Sequence, residues 1–374
     1  MKFIATLMLC CCAKHIIAQS HTMLVGTYDS PKSEGIYIYK FNSNDGTAKE
    51  LSHTKTSNPS FIDVSKNGKY VYAVNENADK KNKAGEVSSF YFNRYSNKLV
   101  LLNKQSSEGN HPCHLSIDNT GKNIAVANYS TGNVSMFTIN KDGSIDSAKQ
   151  TIQHYGSGAD STRQKSAHAH SVYFSKNNRK LFVADLGIDK VLIYDIISKT
   201  NYVEPKSVIA LQFDKGTGPR HIAFNKNETA IYVLEELSGN IAVYNKDLKK
   251  YFQKVQSISN KPDTFKGFAG SADIKITADG NFLYASNRGE SNTIAIFKIN
   301  KTNGTLILVG HQSTMGIAPR NFNFDPTEKY LLVANQQTDE IVIFKRDIET
   351  GLLTDTQNRI KVGKPVCIKW MPGE

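Results

Sequence analysis

One short pattern recurs seven times along this chain and constrains its fold more than anything else in it. Each copy opens with a turn, such as Pro59, Ser60, Phe61 or Pro319, Arg320, Asn321. An apolar strand follows, then a polar turn, then a second apolar strand that ends in a polar residue such as Asn75 or Asn335. The third residues of the opening turns are Phe61, His114, His170, His221, Asp273, Asn321 and Cys367, spaced 46 to 56 residues apart. That length suits four short strands and their turns, the unit of a radially closed β-architecture. Segments 35–41 and 293–299 alternate and are rich in β-branched and aromatic residues. No segment carries the period of a long amphipathic helix. The expected fold is all-β, a seven-bladed β-propeller.

The last copy stops after a single strand at 366–370, and the N-terminal region supplies what it lacks: strands at 23–28, at 35–41 and near Glu50. The seventh blade is therefore expected to be closed by both chain ends, which removes the open edges of the ring. Residues 20–374 then form one propeller domain, preceded by a signal peptide over 1–19. Lys2 and the apolar run from Phe3 to Ala13, with a cleavage position near Ala18 and Gln19, support that signal. Localisation follows from it: periplasmic or secreted if the signal works, cytoplasmic if it does not. Cys10, Cys11 and Cys12 lack the small preceding residue of a lipoprotein site, and no apolar stretch elsewhere is long enough to span a bilayer.

With the signal removed, only Cys113 and Cys367 remain. They open blades two apart in the ring, too far for a disulfide. The formal charge of +12 comes largely from lysines scattered in polar turns. No basic stretch interleaves with aromatics as single-strand nucleic-acid binders require, so nucleic acid is not an expected partner. A positive field does favour an anionic small molecule.

The repeat also dictates where function sits. In a blade, the innermost strand and the next run antiparallel, so the start of the first and the end of the second meet on one face near the axis. The strand-end positions are Thr27, Asn75, Asn128, Asp185, Glu235, Asn287 and Asn335, and the residues just beyond are Tyr28, Glu76, Tyr129, Leu186, Glu236, Arg288 and Gln336. Opposite them, strand starts place His114, His170, Arg220, His221, Asp273 and Arg320. Polar residues bordering apolar strands on a rigid scaffold mark a site.

Three clusters carry the chemistry. His168 and His170, at spacing two on a strand, share a face and precede Asp185. They admit a general base, a structural pair or a metal pair, although no third ligand has supporting spacing. Arg220 begins the inner strand of the blade whose second strand ends at Glu235 and Glu236. This pair reads either as a salt bridge closing the channel or as an anion-binding fork beside an acid/base carboxylate. Asn287 with Arg288, and Arg320 with Asn321, repeat that geometry in later blades. Three arginines converging on one mouth repel one another unless an anion neutralises them. Nucleophile-elbow, zinc-helix and phosphate-loop signatures are absent, so no metal or other cofactor is expected and no covalent intermediate is required.

These motifs resemble the lactonase family of seven-bladed propellers, which includes propeller-type 6-phosphogluconolactonases and carboxymuconate-lactonizing enzymes. The resemblance covers the chain after the signal. It rests on His168 to His170, the run 184–189, the run 218–221, Glu236 with Leu237, the run 283–289, Pro319 to Phe322, and the run 332–335, placed in order on successive blades. It implies an active site at His170, Arg220 and Glu236. His114, His168, Arg288, Arg320, Asp185 and Asn287 are the accompanying candidates for substrate contact. Glu235 departs from the family, which often has Asn there. The implied activity is hydrolysis of a sugar lactone, most like 6-phosphogluconolactone, with a small anionic or sugar lactone as partner. A non-catalytic sugar- or protein-binding propeller of the cell envelope and a muconolactone-forming or -opening enzyme are the alternatives. The sequence is silent on oligomeric state.

Overall fold

The computed structural model describes residues 19–78, 85–197, 200, 202–249, 251–268 and 270–373. Residues 1–18, which hold nearly all of the expected export signal, lie outside the described residues. The described chain forms 28 strands in seven four-stranded antiparallel sheets, with one short 3-10 turn at Leu186–Ile188. Six sheets are built from consecutive strands. In the seventh, the C-terminal strand Pro365–Trp370 pairs antiparallel with Ser20–Thr27, with Val25 opposite Ile368. Gly35–Asn42 and Thr47–Lys55 complete that blade, as the incomplete last repeat required.

Packing explains why both termini are held. Each seam between neighbouring blades is filled by its own buried apolar cluster. Phe182, Ile193 and Leu211 of blade three, for example, meet Ile222, Val233 and Tyr244 of blade four. At the closure, Met23, Val25 and Phe41 meet Leu332, Ile341 and Ile343 on one side. Leu24, Ile36 and Ile38 meet Ile62, Val71 and Phe90 on the other. Each fully buried side chain of this size contributes roughly 1.5–3 kcal/mol, so neither closing seam is dispensable. Outermost strands such as Thr47–Lys55 carry only exposed and half-buried positions and face solvent.

The innermost strands share an irregularity. In blades two, four and six, pairing skips one residue between Pro112 and His114, Pro219 and His221, and Pro319 and Asn321. The skipped residues Cys113, Arg220 and Arg320 are β-bulges, which re-aim a side chain. Blade three corrects the expected alignment. There the bulge falls between Ala169 and Ser171, so Ala169 pairs with Asp185 as Pro219 pairs with Glu235. His170 therefore matches Arg220 and Arg320, while Ser171 matches His114 and His221. Blade three has no opening proline, and its turn is offset by one residue.

Candidate active site

One backbone device recurs around the mouth of the axial channel. The residue just beyond each second strand returns its N–H to a carbonyl in the turn that opens the inner strand. Glu236 donates to Gly218 at 2.8 Å, Tyr129 to His111 at 3.0 Å, Glu76 to Asn58 at 2.9 Å and Arg288 to Gly270 at 3.4 Å. Gly218 holds φ +66, and a Cβ there would lie 2.7 Å from the Leu237 side chain. Glycine is thus needed where this turn presents Glu236.

Glu236 is the centre of the cluster. Its Oε2 accepts from Arg220 Nε at 2.8 Å and lies 3.1 Å from Arg288 Nη2. Its Oε1 accepts from Arg163 Nη2 at 2.7 Å. His170 Nε2 stands 3.8 Å from Oε2. Burial pushes the Glu236 carboxyl up, but Arg288, Arg220 and Arg163 outweigh it and hold the group down at about 2. The carboxylate is ionised at any working pH. Burial, then the Arg220 and His221 charges, push His170 well below its ordinary value, so its ring is neutral. Burial lowers Arg288 to about 10 despite Glu236 beside it.

Arg220 is fixed from two sides. Its Nη1 lies 3.3 Å from His221 Nε2 and donates to the Ala272 carbonyl. His221 Nδ1 is 2.9 Å from Asp273 Oδ1. The carboxylate fixes Nδ1 as the protonated nitrogen, and Nε2 then accepts from the guanidinium.

A second ionic group borders the first. Arg320 Nη2 lies 3.5 Å from Glu76 Oε2, Tyr28 Oη donates to that oxygen at 2.7 Å, and the Arg320 guanidinium stands 5.2 Å from the Tyr28 ring. His168 stacks on Tyr129 at 4.5 Å, and its Nδ1 is 2.9 Å from the Tyr129 carbonyl oxygen. Four guanidiniums, Arg163, Arg220, Arg288 and Arg320, thus face two carboxylates, Glu76 and Glu236. The mouth has an excess of positive charge, which suits an anion or a developing oxyanion.

The mouth brings together His168, His170, Arg220, Glu236, Arg288 and Arg320. Three expected contacts are placed elsewhere. Asp185 is fully buried; it accepts from the His168 and Gly187 backbone N–H groups and contacts His154 Nδ1 at 2.7 Å. Asn287 is equally buried, with its amide bonded to Asn260, Ser271 and Thr293. Both tie their own turns, as Asn and Asp at strand ends do. His114 lies one layer deeper, packed on Phe61 at 4.0 Å and Tyr173 at 4.9 Å. Nor do His168 and His170 form a pair on one strand face. The bulge separates their roles, one held by Tyr129 and the other beside Glu236. Cys113 and Cys367 are both free and buried, and burial raises the Cys113 thiol out of the reactive range.

Sequence reasoning missed Arg163. It lies in the connection between Gln150–Gln153 and Ala169–Phe174, outside the repeated strands. Asp160 Oδ1 accepts from the Thr162 and Arg163 N–H groups. Buried Gln164 anchors the loop to the Leu186 carbonyl and Asp189. A long connection in a compact fold is itself a functional signal.

Residues 22–370 match the family described as Lactonase, 7-bladed beta-propeller. The chain belongs to this lactonase family. It is 39% identical to a 6-phosphogluconolactonase of Formosa agariphila over 88% of this chain and 94% of that one. It is 36% identical to a 6-phosphogluconolactonase of Bacillus subtilis, over 93% and 97%. The solved periplasmic gluconolactonase of Pseudomonas aeruginosa, PpgL, superposes with a TM-score of 0.88 at 31% identity, covering 94% of this chain and 99% of that one. Among the described residues no helix is long and apolar enough to cross a membrane.

Proposed function

We propose that this mouth hydrolyses a sugar lactone to the corresponding aldonic acid, most like 6-phosphogluconolactonase. The observation that carries this reading is the placement of a buried, ionised Glu236 and a neutral His170 among arginines. The 3.8 Å between His170 Nε2 and Glu236 Oε2 exceeds a hydrogen bond, yet one water can contact both at normal distances. That water is the nucleophile. Its proton passes to the Glu236–His170 pair as its oxygen bonds to the lactone carbonyl carbon. Arg220, braced by His221 and Asp273, and Arg288 stabilise the negative charge that develops on the carbonyl oxygen. The ring C–O bond then breaks, and the departing alkoxide takes the proton back. The product is a hydroxy acid that ionises in solvent. A lactone is a strained ester, so positioning, a base and a cation suffice.

Residues 20–374 act as one propeller unit in this reading, and residues 1–19 direct it to the periplasm or beyond. The P. aeruginosa relative, named as periplasmic, supports that placement. N-terminal sequencing of protein from the periplasmic fraction tests it; a chain still beginning at Met1 counts against export. For the reaction, a pH-stat assay with glucono-δ-lactone and 6-phosphoglucono-δ-lactone is decisive. Acid release well above the buffer rate is expected, and its absence with both removes the proposal.

A further inference from the structure

Three arginines clamp Glu236, and one of them differs from the others. The Arg220 side chain is 2% exposed and that of Arg288 is 19% exposed, whereas that of Arg163 is 36% exposed. Arg220 and Arg288 belong to or directly follow blade strands, while Arg163 reaches in from a loop. Arg163 also uses its guanidinium sparingly. A single nitrogen, Nη2, makes both contacts, to Glu236 Oε1 at 2.7 Å and to Tyr129 Oη at 3.1 Å. Its Nε and Nη1 have no hydrogen-bond partner among the described residues. Arg220 and Arg288 both hold Oε2, so Arg163 alone occupies Oε1.

We propose that Arg163 is the residue that reads an anionic substituent on the lactone, a phosphate or a second carboxylate, and that engaging it withdraws one cation from Glu236, whose Oε2 then takes the proton from water more readily. This rests on the lactonase reading above. The electrostatics favour the exchange. The mouth holds more guanidiniums than carboxylates, so Glu236 keeps Arg220 and Arg288 as partners when Arg163 turns to an incoming anion. A guanidinium fork binds phosphate or carboxylate through two parallel hydrogen bonds, which its present single-nitrogen contact does not use. Glu236 is surrounded by Arg163, Arg220 and Arg288, with neutral His170 beside it. Removing one of three cations raises its basicity, and proton abstraction by a carboxylate improves as its pKa rises. An uncharged lactone leaves Arg163 on Glu236 and meets a weaker base. Recognition of the anion and activation of the base are thus one event. The anchoring of the loop through Gln164 leaves the exchange to the arginine side chain.

The test compares wild type, Arg163→Gln and Arg163→Lys on three substrates: 6-phosphoglucono-δ-lactone, a glucaric acid lactone bearing a free carboxylate, and glucono-δ-lactone. Wild type is expected to favour at least one anionic lactone in kcat/KM, and the arm that shows the preference names the anion. Arg163→Gln is expected to lose about 10- to 100-fold of that preference, as one charge-assisted contact implies. Arg163→Lys restores part of it. On glucono-δ-lactone, the acid limb of the pH–rate profile moves to higher pH in Arg163→Gln. An equal loss on all three lactones with an unmoved acid limb overturns the proposal and makes Arg163 structural. Calorimetric binding of 6-phosphogluconate separates this from failure of the lactonase reading. Binding weakened by Arg163→Gln in a protein that opens no lactone keeps the anion-reading role and removes hydrolysis. Unchanged binding, with hydrolysis intact, removes the Arg163 role alone.

Discussion

The channel mouth and the layer just beneath it are built by adjacent positions of the same strands, yet their charges are arranged in opposite ways. At the mouth, Arg163, Arg220, Arg288 and Arg320 outnumber Glu76 and Glu236. Beneath, Lys369 pairs with Asp63 at 2.8 Å, Lys275 stands 3.5 Å from Asp273, and Asp273 also bonds His221, Asn321 and the Ile274 and Phe322 backbone N–H groups. Two lysines meet two aspartates there. His114, Phe61 and Tyr173 fill much of the remaining space and leave a cavity of about 180 Å³. The bulge is what separates the layers. It turns His170, Arg220 and Arg320 toward the mouth, while the next residue in register in blades two and four, His114 or His221, points inward. A layer whose charges are matched inside the protein braces the fold. A layer left with surplus charge is prepared for something from outside. Arg220 joins the two, donating to Glu236 above and facing His221 below.

Among the arginines of the mouth, the largest effect that sharpens this contrast is expected from Arg220→Ala. Losing an oxyanion-stabilising donor typically lowers turnover about 10²–10³-fold, and steady-state rates on the preferred lactone check it. A fall below tenfold would move the carbonyl contact to Arg288. Next is Asp273→Asn in the deeper layer. It removes the charge that holds His221 and Lys275 and should cost roughly 1.5–3 kcal/mol of stability. Denaturant unfolding reads that loss, while kcat falls far less than in Arg220→Ala. Equal losses of rate in the two variants would erase the distinction between the layers.

The third concerns pH. Burial, then Arg220, hold His221 down at about 4 against its ordinary 6.5. The folded state keeps this ring neutral while the unfolded chain protonates it. Its contribution is therefore full above pH 6.5 and declines as pH falls toward 4, by about 1.4 kcal/mol for each unit of separation. Melting temperatures across that window should fall with pH, and less steeply in His221→Gln. Identical slopes would show that His221 does not titrate as its surroundings require. The smallest expected effect is that of Asn287→Ala: a loss of about 1–2 kcal/mol from its turn, with KM unchanged. A raised KM would return Asn287 to the substrate site.

The ring and its closure were legible because strand alternation and opening prolines repeat with the blade. The mouth was legible in the residues following each second strand, where Glu236 and Arg288 interrupt an apolar pattern. Three things were not. His170 was aligned one residue out, because blade three lacks the proline that marks the bulge elsewhere. Asp185 and Asn287 carry the same side-chain chemistry whether they meet a ligand or tie a turn, and only their bonded neighbours decide. Arg163 lies outside the repeat and has no counterpart to align with. Glu235, which stands where four other blades carry Asn75, Asn128, Asn287 and Asn335, remains in the turn-tying role by accepting from Ser238 at 2.5 Å, and burial raises its carboxyl.

The most direct measurement pairs lactone hydrolysis with thermal melting in Glu236→Gln. If Glu236 is the base of a site that carries surplus charge for substrate, turnover falls about 10²–10⁴-fold while the protein melts cooperatively as a folded ring. Full turnover with a lowered melting temperature would contradict that, and would make the arginine cluster a brace like the layer beneath it.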